Sequence, residues 1–293
     1  MRQYEFVTID VFTDRRFGGN PLAVVLGAEG LSDAEMQSLA AEFNYSETTF
    51  VLAPADPAHT ARVRIFNRRK EMDFAGHPNV GTGLVLAARR PEARFTFEER
   101  AGLVSVEVER DAAGRPAAAR IRAPQPLRVV AELPADAVAA CLGLEAADLD
   151  LGLHGPVAAS VGITFVLAAV RGDALERIVT HPPSFAALVR SFPALGGRAS
   201  LFVYRAAGAD AVDARMFAPL EGTDEDPATG SAAAALVAYR LSRTAAPTLM
   251  LRIRQGVLLG RPSLIEARAW REDGFRASVA GPGIEMFRGT LTV

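Results

Sequence analysis

Two stretches of this chain place an ionisable side chain directly before a proline and follow it with small, apolar residues. In Asp73–Gly83 the pair is His77 and Pro78, and in Glu225–Ala238 it is Asp226 and Pro227. From Val80 to Ala88, and again from Ser231 to Ala238, no polar stripe is left to face water, so each run reads as a helix buried on all sides. Pro78 suits a first helical position, where its missing N–H costs nothing, and predicts that the first helix starts beside His77. A buried helix cannot leave its first four N–H groups without partners. The partial positive charge there favours an anion by about 0.3–1 kcal/mol. If both starts point at one cleft, that cleft suits a small carboxylate with a His and an Asp beside it. Each could instead be an ordinary buried helix with a satisfied cap, Asp226 serving as the N-cap.

A third candidate is Glu47, in Ser46–Leu52, a run that reads as a strand with this carboxylate at its mouth. Moving a proton between carbons needs a group that takes it and returns it. A buried carboxylate with its pKa raised toward neutrality can do both, for a rate gain of about 10²–10⁴. A glutamate at a strand start can also be merely solvated. A protonated His77 would offset the negative charge of Glu47, Asp226 and a bound anion.

Other chemistries are restricted by what is missing. Cys141 is the single cysteine and excludes a disulfide framework, a thiolate metal cluster or a two-thiol mechanism within one chain. His59, His154 and His181 lie next to turn residues, read as loop or surface histidines, and have no metal-ligand spacing. Lys70 is the only lysine, so Schiff-base chemistry rests on it or is absent. Gly76–Thr82 resembles a phosphate loop without the required lysine, and Gly81-Thr82-Gly83 does not follow a strand as a dinucleotide fingerprint must. A net charge of −2 with mixed signs suggests neither a nucleic-acid partner nor an anionic membrane surface. No basic-then-apolar leader opens the chain, and Gly155–Val170 is too short to span a bilayer. Together with the lone cysteine, these features imply a reducing, cytoplasmic setting.

The elements that must hold these residues follow from patterning. Residues 4–12 and 22–26 read as strands, and Ser32 with Glu35 has capping-box spacing for a helix to about Phe43. Strands are expected over 46–52, 60–66, 95–97 and 102–109, and a linker over 111–126, where turn residues cluster. Beyond it, 157–170 reads as two buried strands, 182–192 as a helix and 199–204 as a strand. Asp213–Phe217 then stands before the second buried helix as Arg62–Phe66 stands before the first. A repeat this long is too large for a solenoid unit and indicates a duplicated domain. The predicted fold is α+β: two pseudo-symmetric domains, each a mostly antiparallel curved sheet or barrel around a central buried helix. Their expected limits are 1–118, joined by a returning strand at 285–293, and 127–284.

Ser46-Glu47-Thr48-Thr49-Phe50-Val51, Phe74–Thr82 and Glu225–Ala232, with the N-terminal segments Asp10–Thr13 and Gly18–Val25, resemble the phenazine biosynthesis (PhzF-like) isomerase family over essentially the full length. That family lies within the diaminopimelate epimerase-like superfamily. The resemblance implies an interdomain active site, no metal or organic cofactor, commonly a homodimer, and proton-shuttling isomerisation of a small carboxylate. It implies Glu47 as the acid/base, His77 and Asp226 as its supporting polar groups, and Gly76, Asn79, Thr229, Gly230 and Ser231 as substrate-binding residues. The two cysteines of the superfamily's epimerases would fall at Ala75 and Thr229, so two-thiol chemistry is closed to this chain. An epimerase using Glu47 and Asp226 as opposed bases, or a non-catalytic carboxylate binder on the same scaffold, are the alternatives.

Overall fold

The structure, a computed structural model, describes residues 1–293 and divides into two compact units, Met1–Pro124 with Val279–Val293, and Gln125–Ser278. The first unit contains β1 (Gln3–Val11), β2 (Asn20–Leu26), α1 (Asp33–Phe43), β3 (Glu47–Leu52), β4 (Ala61–Asn67), β5 (Glu71–Met72), α2 (Gly76–Ala87), β6 (Arg94–Glu99), β7 (Gly102–Arg110) and β8 (Pro116–Arg122). The second contains β9 (Arg128–Glu132), α3 (Ala135–Cys141), β10 (Val157–Ser160), β11 (Thr164–Ala169), α4 (Ala174–Arg177), α5 (Pro182–Ser191), β12 (Leu201–Ala206), β13 (Ala211–Ala218), β14 (Thr223–Asp226), α6 (Gly230–Ser242), β15 (Thr248–Gln255) and β16 (Ser263–Arg271). The chain then passes through β17 (Phe275–Gly281) to β18 (Gly283–Thr292), which pairs with β1 from Gln3↔Thr292 to Val11↔Gly283.

The two units repeat one pairing scheme. In the first, β2 and β3 are parallel, β3 and β4 antiparallel, β4 and β6 parallel, and β6 and β7 antiparallel. In the second, β11 and β12 are parallel, β12 and β13 antiparallel, β13 and β15 parallel, and β15 and β16 antiparallel. The sheets are therefore mixed. Their parallel pairs are joined through α1 and α5 or through α2 and α6, connections long enough for the crossover a parallel pair requires.

Both central helices are enclosed by their own sheet. Every residue of α2 is buried, and ten of the thirteen in α6 are. Close packing of α2 depends on glycine: a Cβ on Gly81 would lie 2.6 Å from Leu22 and 2.8 Å from Val11, and one on Gly83 2.6 Å from Val106. Alanines 232–235 supply the small surface in α6, all of them nearly inaccessible. The Gly81-Thr82-Gly83 pattern thus serves helix-to-sheet approach. By contrast α1 lies at the surface and has the capping box its sequence predicts, with Glu35 N–H donating to Ser32 Oγ and Glu35 Oε2 accepting from Ser32 N–H.

Two expectations change. The 111–126 segment is not a linker, because Asp111–Arg115 makes a hairpin turn and β8 extends the first sheet, pairing Val106↔Ile121. His154 is not a surface histidine: only 7 % of it is exposed, its Nδ1 lies 2.6 Å from Gly155 O, and its Nε2 lies 2.6 Å from the Tyr204 hydroxyl. No helix is long and apolar enough to cross a membrane.

Candidate active site

Each central helix is approached through the same clamp. In the first unit Arg64 on β4 makes a two-pronged contact with Glu71 on β5, Nε–Oε1 and Nη2–Oε2 both 2.7 Å, and stacks 5.1 Å over Phe66. In the second, Arg215 on β13 grips Glu225 on β14 at 3.0 and 2.8 Å and lies 4.8 Å over Phe217. Planar bidentate pairing of this kind fixes orientation as well as distance. Glu71 leads through four residues to the helix start at Gly76, and Glu225 through four to Gly230. The clamp therefore sets where each helix begins.

Neither helix start is closed by its own N-cap residue. The N-caps are Ala75 and Thr229, neither side chain caps the first turn, and neither first turn holds an acidic residue. Two details of the predicted starts change. Pro78 is the third helical residue, still within the turn whose N–H groups lack helical partners. Asp226 is not an N-cap; it ends β14, three residues before the cap.

At the α2 start, Glu47 heads β3, which lies between β2 (Leu22↔Glu47) and β4 (Glu47↔Asn67). Its side chain is 16 % exposed, and Oε2 lies 3.3 Å from His77 Nε2. His77 sits in the first turn of α2, and burial pushes its pKa down to about 3, so the ring is neutral at physiological pH. Burial therefore weighs against the protonated imidazole considered from the sequence. A neutral imidazole instead donates to a carboxylate or accepts from a carboxylic acid, and so can follow Glu47 through both of its protonation states. Gly76 is buried, and Asn79 is fully buried with Nδ2 donating to Ala75 O at 3.0 Å.

At the α6 start, the Asp226 carboxylate accepts the Thr229 hydroxyl at 2.5 Å and is 7 % exposed. Gln255, at the end of β15, completes the arrangement: Nε2 donates to Asp226 O at 2.7 Å and to Thr229 Oγ1 at 2.9 Å, and Oε1 accepts from Thr229 N–H at 3.0 Å. Ser263 Oγ donates to Pro227 O at 2.8 Å. Gly256 must be glycine, since its φ is +70° and a Cβ would lie 2.6 Å from Pro227 O. Gly230 is buried and Ser231 half-buried at the first two helical positions. The brace formed by Gln255, Gly256 and Ser263 was not read from the sequence; the signal was Gln-Gly followed by the Gly-Arg-Pro turn at 260–262, two glycine turns bounding one short loop.

The chemistry available is proton transfer and anion binding. Cys141, the sole thiol, is buried in the core of the second unit, and its pKa is pushed up to about 12, so it is inert as a nucleophile. No group of three or more His, Cys, Asp or Glu side chains is placed to hold a metal ion.

A duplicated unit of mixed sheet around a buried helix is the diaminopimelate epimerase-like architecture. A hydroxyproline epimerase from Agrobacterium vitis shares that fold, with a TM-score of 0.66 at 14 % identity over 99 % of this chain and 91 % of the other. The likeness narrows in sequence. Residues 9–289 match the family described as phenazine biosynthesis-like protein. The chain is 37 % identical to an uncharacterised isomerase of Mesorhizobium japonicum over all of both proteins. It is 36 % identical to the trans-2,3-dihydro-3-hydroxyanthranilate isomerase of Pseudomonas aeruginosa, covering 91 % of this chain and 90 % of that one. Among solved structures, a PhzF-family phenazine biosynthesis protein of Bacillus anthracis superposes with a TM-score of 0.86 at 25 % identity, each chain covered in full. The chain belongs to the phenazine biosynthesis-like (PhzF) family and is an isomerase.

Proposed function

We propose that the chain is a cofactor-independent isomerase that moves a proton between carbons of a small carboxylate substrate. Glu47 is the acid/base. Its carboxylate removes a proton from an acidic C–H, the electron pair left behind delocalises toward the substrate's conjugated carboxylate, and the carboxylic acid returns the proton at another carbon. Atoms and charge balance without oxidant or metal. His77 supports Glu47 in both protonation states. The first-turn N–H groups at Gly76 and His77 hold the substrate carboxylate and stabilise charge as it spreads toward it, and those at Gly230 and Ser231 offer a second start suited to a substrate anion. Asp226, tied to Thr229, positions the second helix start and adds a polar wall, and Asn79 and Thr229 shape the two mouths from behind.

The observation that carries this reading is the Glu47–His77 contact of 3.3 Å beside a buried helix start that no side chain caps. A carboxylate binder gains nothing from a second carboxylate there, and Asp226, already holding a hydroxyl at 2.5 Å, is poorly placed to act as an opposed base. The substrate class is that of the Pseudomonas relatives, a small hydroxylated amino-carboxylate ring. The test is turnover of trans-2,3-dihydro-3-hydroxyanthranilate in deuterated water. Wild type is expected to give an isomer bearing solvent deuterium or an internally transferred proton, and Glu47→Gln to give neither while remaining folded. Unchanged turnover in Glu47→Gln would remove that residue from the scheme.

A homodimer in the cytoplasm completes the proposal. The exposed apolar tip Val257-Leu258-Leu259, at 58, 54 and 42 %, is suited to a contact with a second copy. Sedimentation velocity at micromolar concentration tests it: a monomer there would end the dimer assignment.

A further inference from the structure

Thr82 is the one polar side chain of α2 from Val80 to Ala87, and it stands between Gly81 and Gly83. It is fully buried, and its Oγ1 lies 2.9 Å from Oγ1 of Thr49 on β3, which is fully buried too. Thr49 follows Glu47 by two positions, so the two side chains leave the same face of the strand. Both meet α2, Glu47 at His77 and Thr49 at Thr82. A buried hydroxyl pair adds little net stability, since two apolar side chains of the same shape serve nearly as well. What it adds is direction. Apolar contact is non-directional, and the glycines on either side of Thr82 leave α2 smooth where it faces Leu22, Val11 and Val106.

The second unit shows what the fold alone requires at this place. Phe50 pairs with Arg64 across β3 and β4, and Val203 with Arg215 across β12 and β13, so Thr49 corresponds to Phe202 and Glu47 to Ser200. Counted from the helix starts at Gly76 and Gly230, Thr82 corresponds to Leu236. Phe202 and Leu236 are both fully buried. An apolar pair therefore satisfies the packing, and the hydroxyl pair occurs in the unit whose strand carries the acid.

We propose that Thr49 and Thr82 are positioning residues whose hydrogen bond sets the register of α2 along β3 and so holds His77 Nε2 against the Glu47 carboxylate. The Arg64–Glu71 clamp fixes where the helix begins, and the hydroxyl pair fixes how it lies against the strand. Thr49 Oγ1 is also 3.5 Å from Ala23 O on β2, which turns its proton that way and makes Thr82 the donor of the pair. Without Thr49, the Thr82 hydroxyl has the Pro78 carbonyl one turn back as its alternative acceptor, and α2 is left to apolar packing.

The link to turnover rests on the reading that Glu47 is the acid/base; the link to His77 does not. The test is the double variant Thr49→Val with Thr82→Val, which removes both hydroxyls at nearly constant shape. Thr48→Val is the control, on the opposite face of β3, where Oγ1 is buried without a partner. The imidazole nitrogen resonances of His77 report its contact with Glu47, and turnover of trans-2,3-dihydro-3-hydroxyanthranilate reports the use of that contact. The double variant is expected to match or exceed wild type in urea, to shift the His77 Nε2 resonance, and to lose about tenfold in kcat at unchanged KM. Thr82→Ser, which keeps the hydroxyl, is expected to hold the resonance in place and to retain most of the turnover, and Thr48→Val to change neither. A His77 resonance that stays put in the double variant, or moves as far in Thr48→Val, overturns the positioning role. So does a strongly destabilised double variant, which makes the bond a structural tie, or a loss of turnover that Thr82→Ser shares in full. A shifted resonance with unchanged turnover sustains the register device and overturns Glu47 and His77 as the place of the chemistry.

Discussion

The two helix starts are built alike and armed differently. Arg64 and Glu71 correspond to Arg215 and Glu225, and Gly76 and His77 to Gly230 and Ser231, so the clamp and the helix position are shared. The acids are not. The strand pairing that places Glu47 opposite Asn67 carries Ser200 to the equivalent place beside Ala218, and Ser200 is buried with its hydroxyl on Glu221. The strand that ends in Asp226 in the second unit ends in Met72 in the first. Each start therefore has one carboxylate, brought in on a different strand. After duplication, the backbone frame had to be kept because it decides where the helix begins, whereas the side chains facing the mouth were free to diverge. One acid contacts an imidazole, the other a hydroxyl, which is the asymmetry expected of one proton shuttle and one positioning group.

The comparison breaks most sharply at the acids. Glu47→Gln is expected to cost about 10²–10⁴ in turnover. Asp226→Asn, which keeps an acceptor for the Thr229 hydroxyl, is expected to cost about tenfold, or about 1.4 kcal/mol of barrier. Steady-state rates on both variants measure this, and equal losses would make the two starts chemically equivalent. The clamps come next. Arg64→Ala and Arg215→Ala each leave a largely buried carboxylate without its main partner, and each is expected to lower unfolding free energy by about 3 kcal/mol in urea titrations. A large loss in one and none in the other would show that the frame is not shared.

Packing gives a smaller contrast. Gly81→Ala puts a methyl group into Leu22 and Val11 and is expected to destabilise by about 1–3 kcal/mol. Ala233→Gly in α6 is expected to cost about 1 kcal/mol through helix propensity and the lost methyl.

Acid and base dependence sharpen the first unit further. His77 has a folded pKa of about 3 against an ordinary 6.5, so the unfolded chain binds more protons in that window. Stability is therefore gained as pH rises from 3 to 6.5 and lost as it falls. Glu99 works in the opposite direction: with a folded pKa of about 8 against 4.5, the native chain holds the extra proton, and stability falls as pH rises from 4.5 to 8. Thermal melts should show Glu99→Gln gaining on wild type between pH 5 and 8, and His77→Gln losing less than wild type below pH 6.

Much of this frame could be read from residues alone where the signal was local. Ser32 and Glu35 stand at the spacing that closes a capping box, and the run from Val80 to Ala87, with Thr82 its one polar side chain, left α2 no polar stripe to expose. His77 and Asp226 were visible as candidates because an ionisable residue before proline ahead of a buried apolar run is an uncommon combination, whereas Glu47 stood out through the family resemblance of Ser46–Val51. Long-range facts were not legible. That β4 lies parallel to β6, or that Arg64 reaches Glu71, depends on which segments meet after folding. Pro116 and the turn before it looked like a linker because a hairpin and a linker use the same residues. His154 looked exposed because the tyrosine that buries it is fifty positions away. Glu99 gave no signal at all, since a glutamate in an alternating strand is ordinarily wet.

The role of Glu47 depends on the α2 start holding an anion beside it. Titration of the protein with benzoate, followed by the backbone amide resonances of Gly76 and His77, measures this directly. Both are expected to shift along one saturation curve, and Gly81, inside α2, to stay fixed. Gly76 and His77 amides that do not move at saturating benzoate would contradict an anion site at the α2 start.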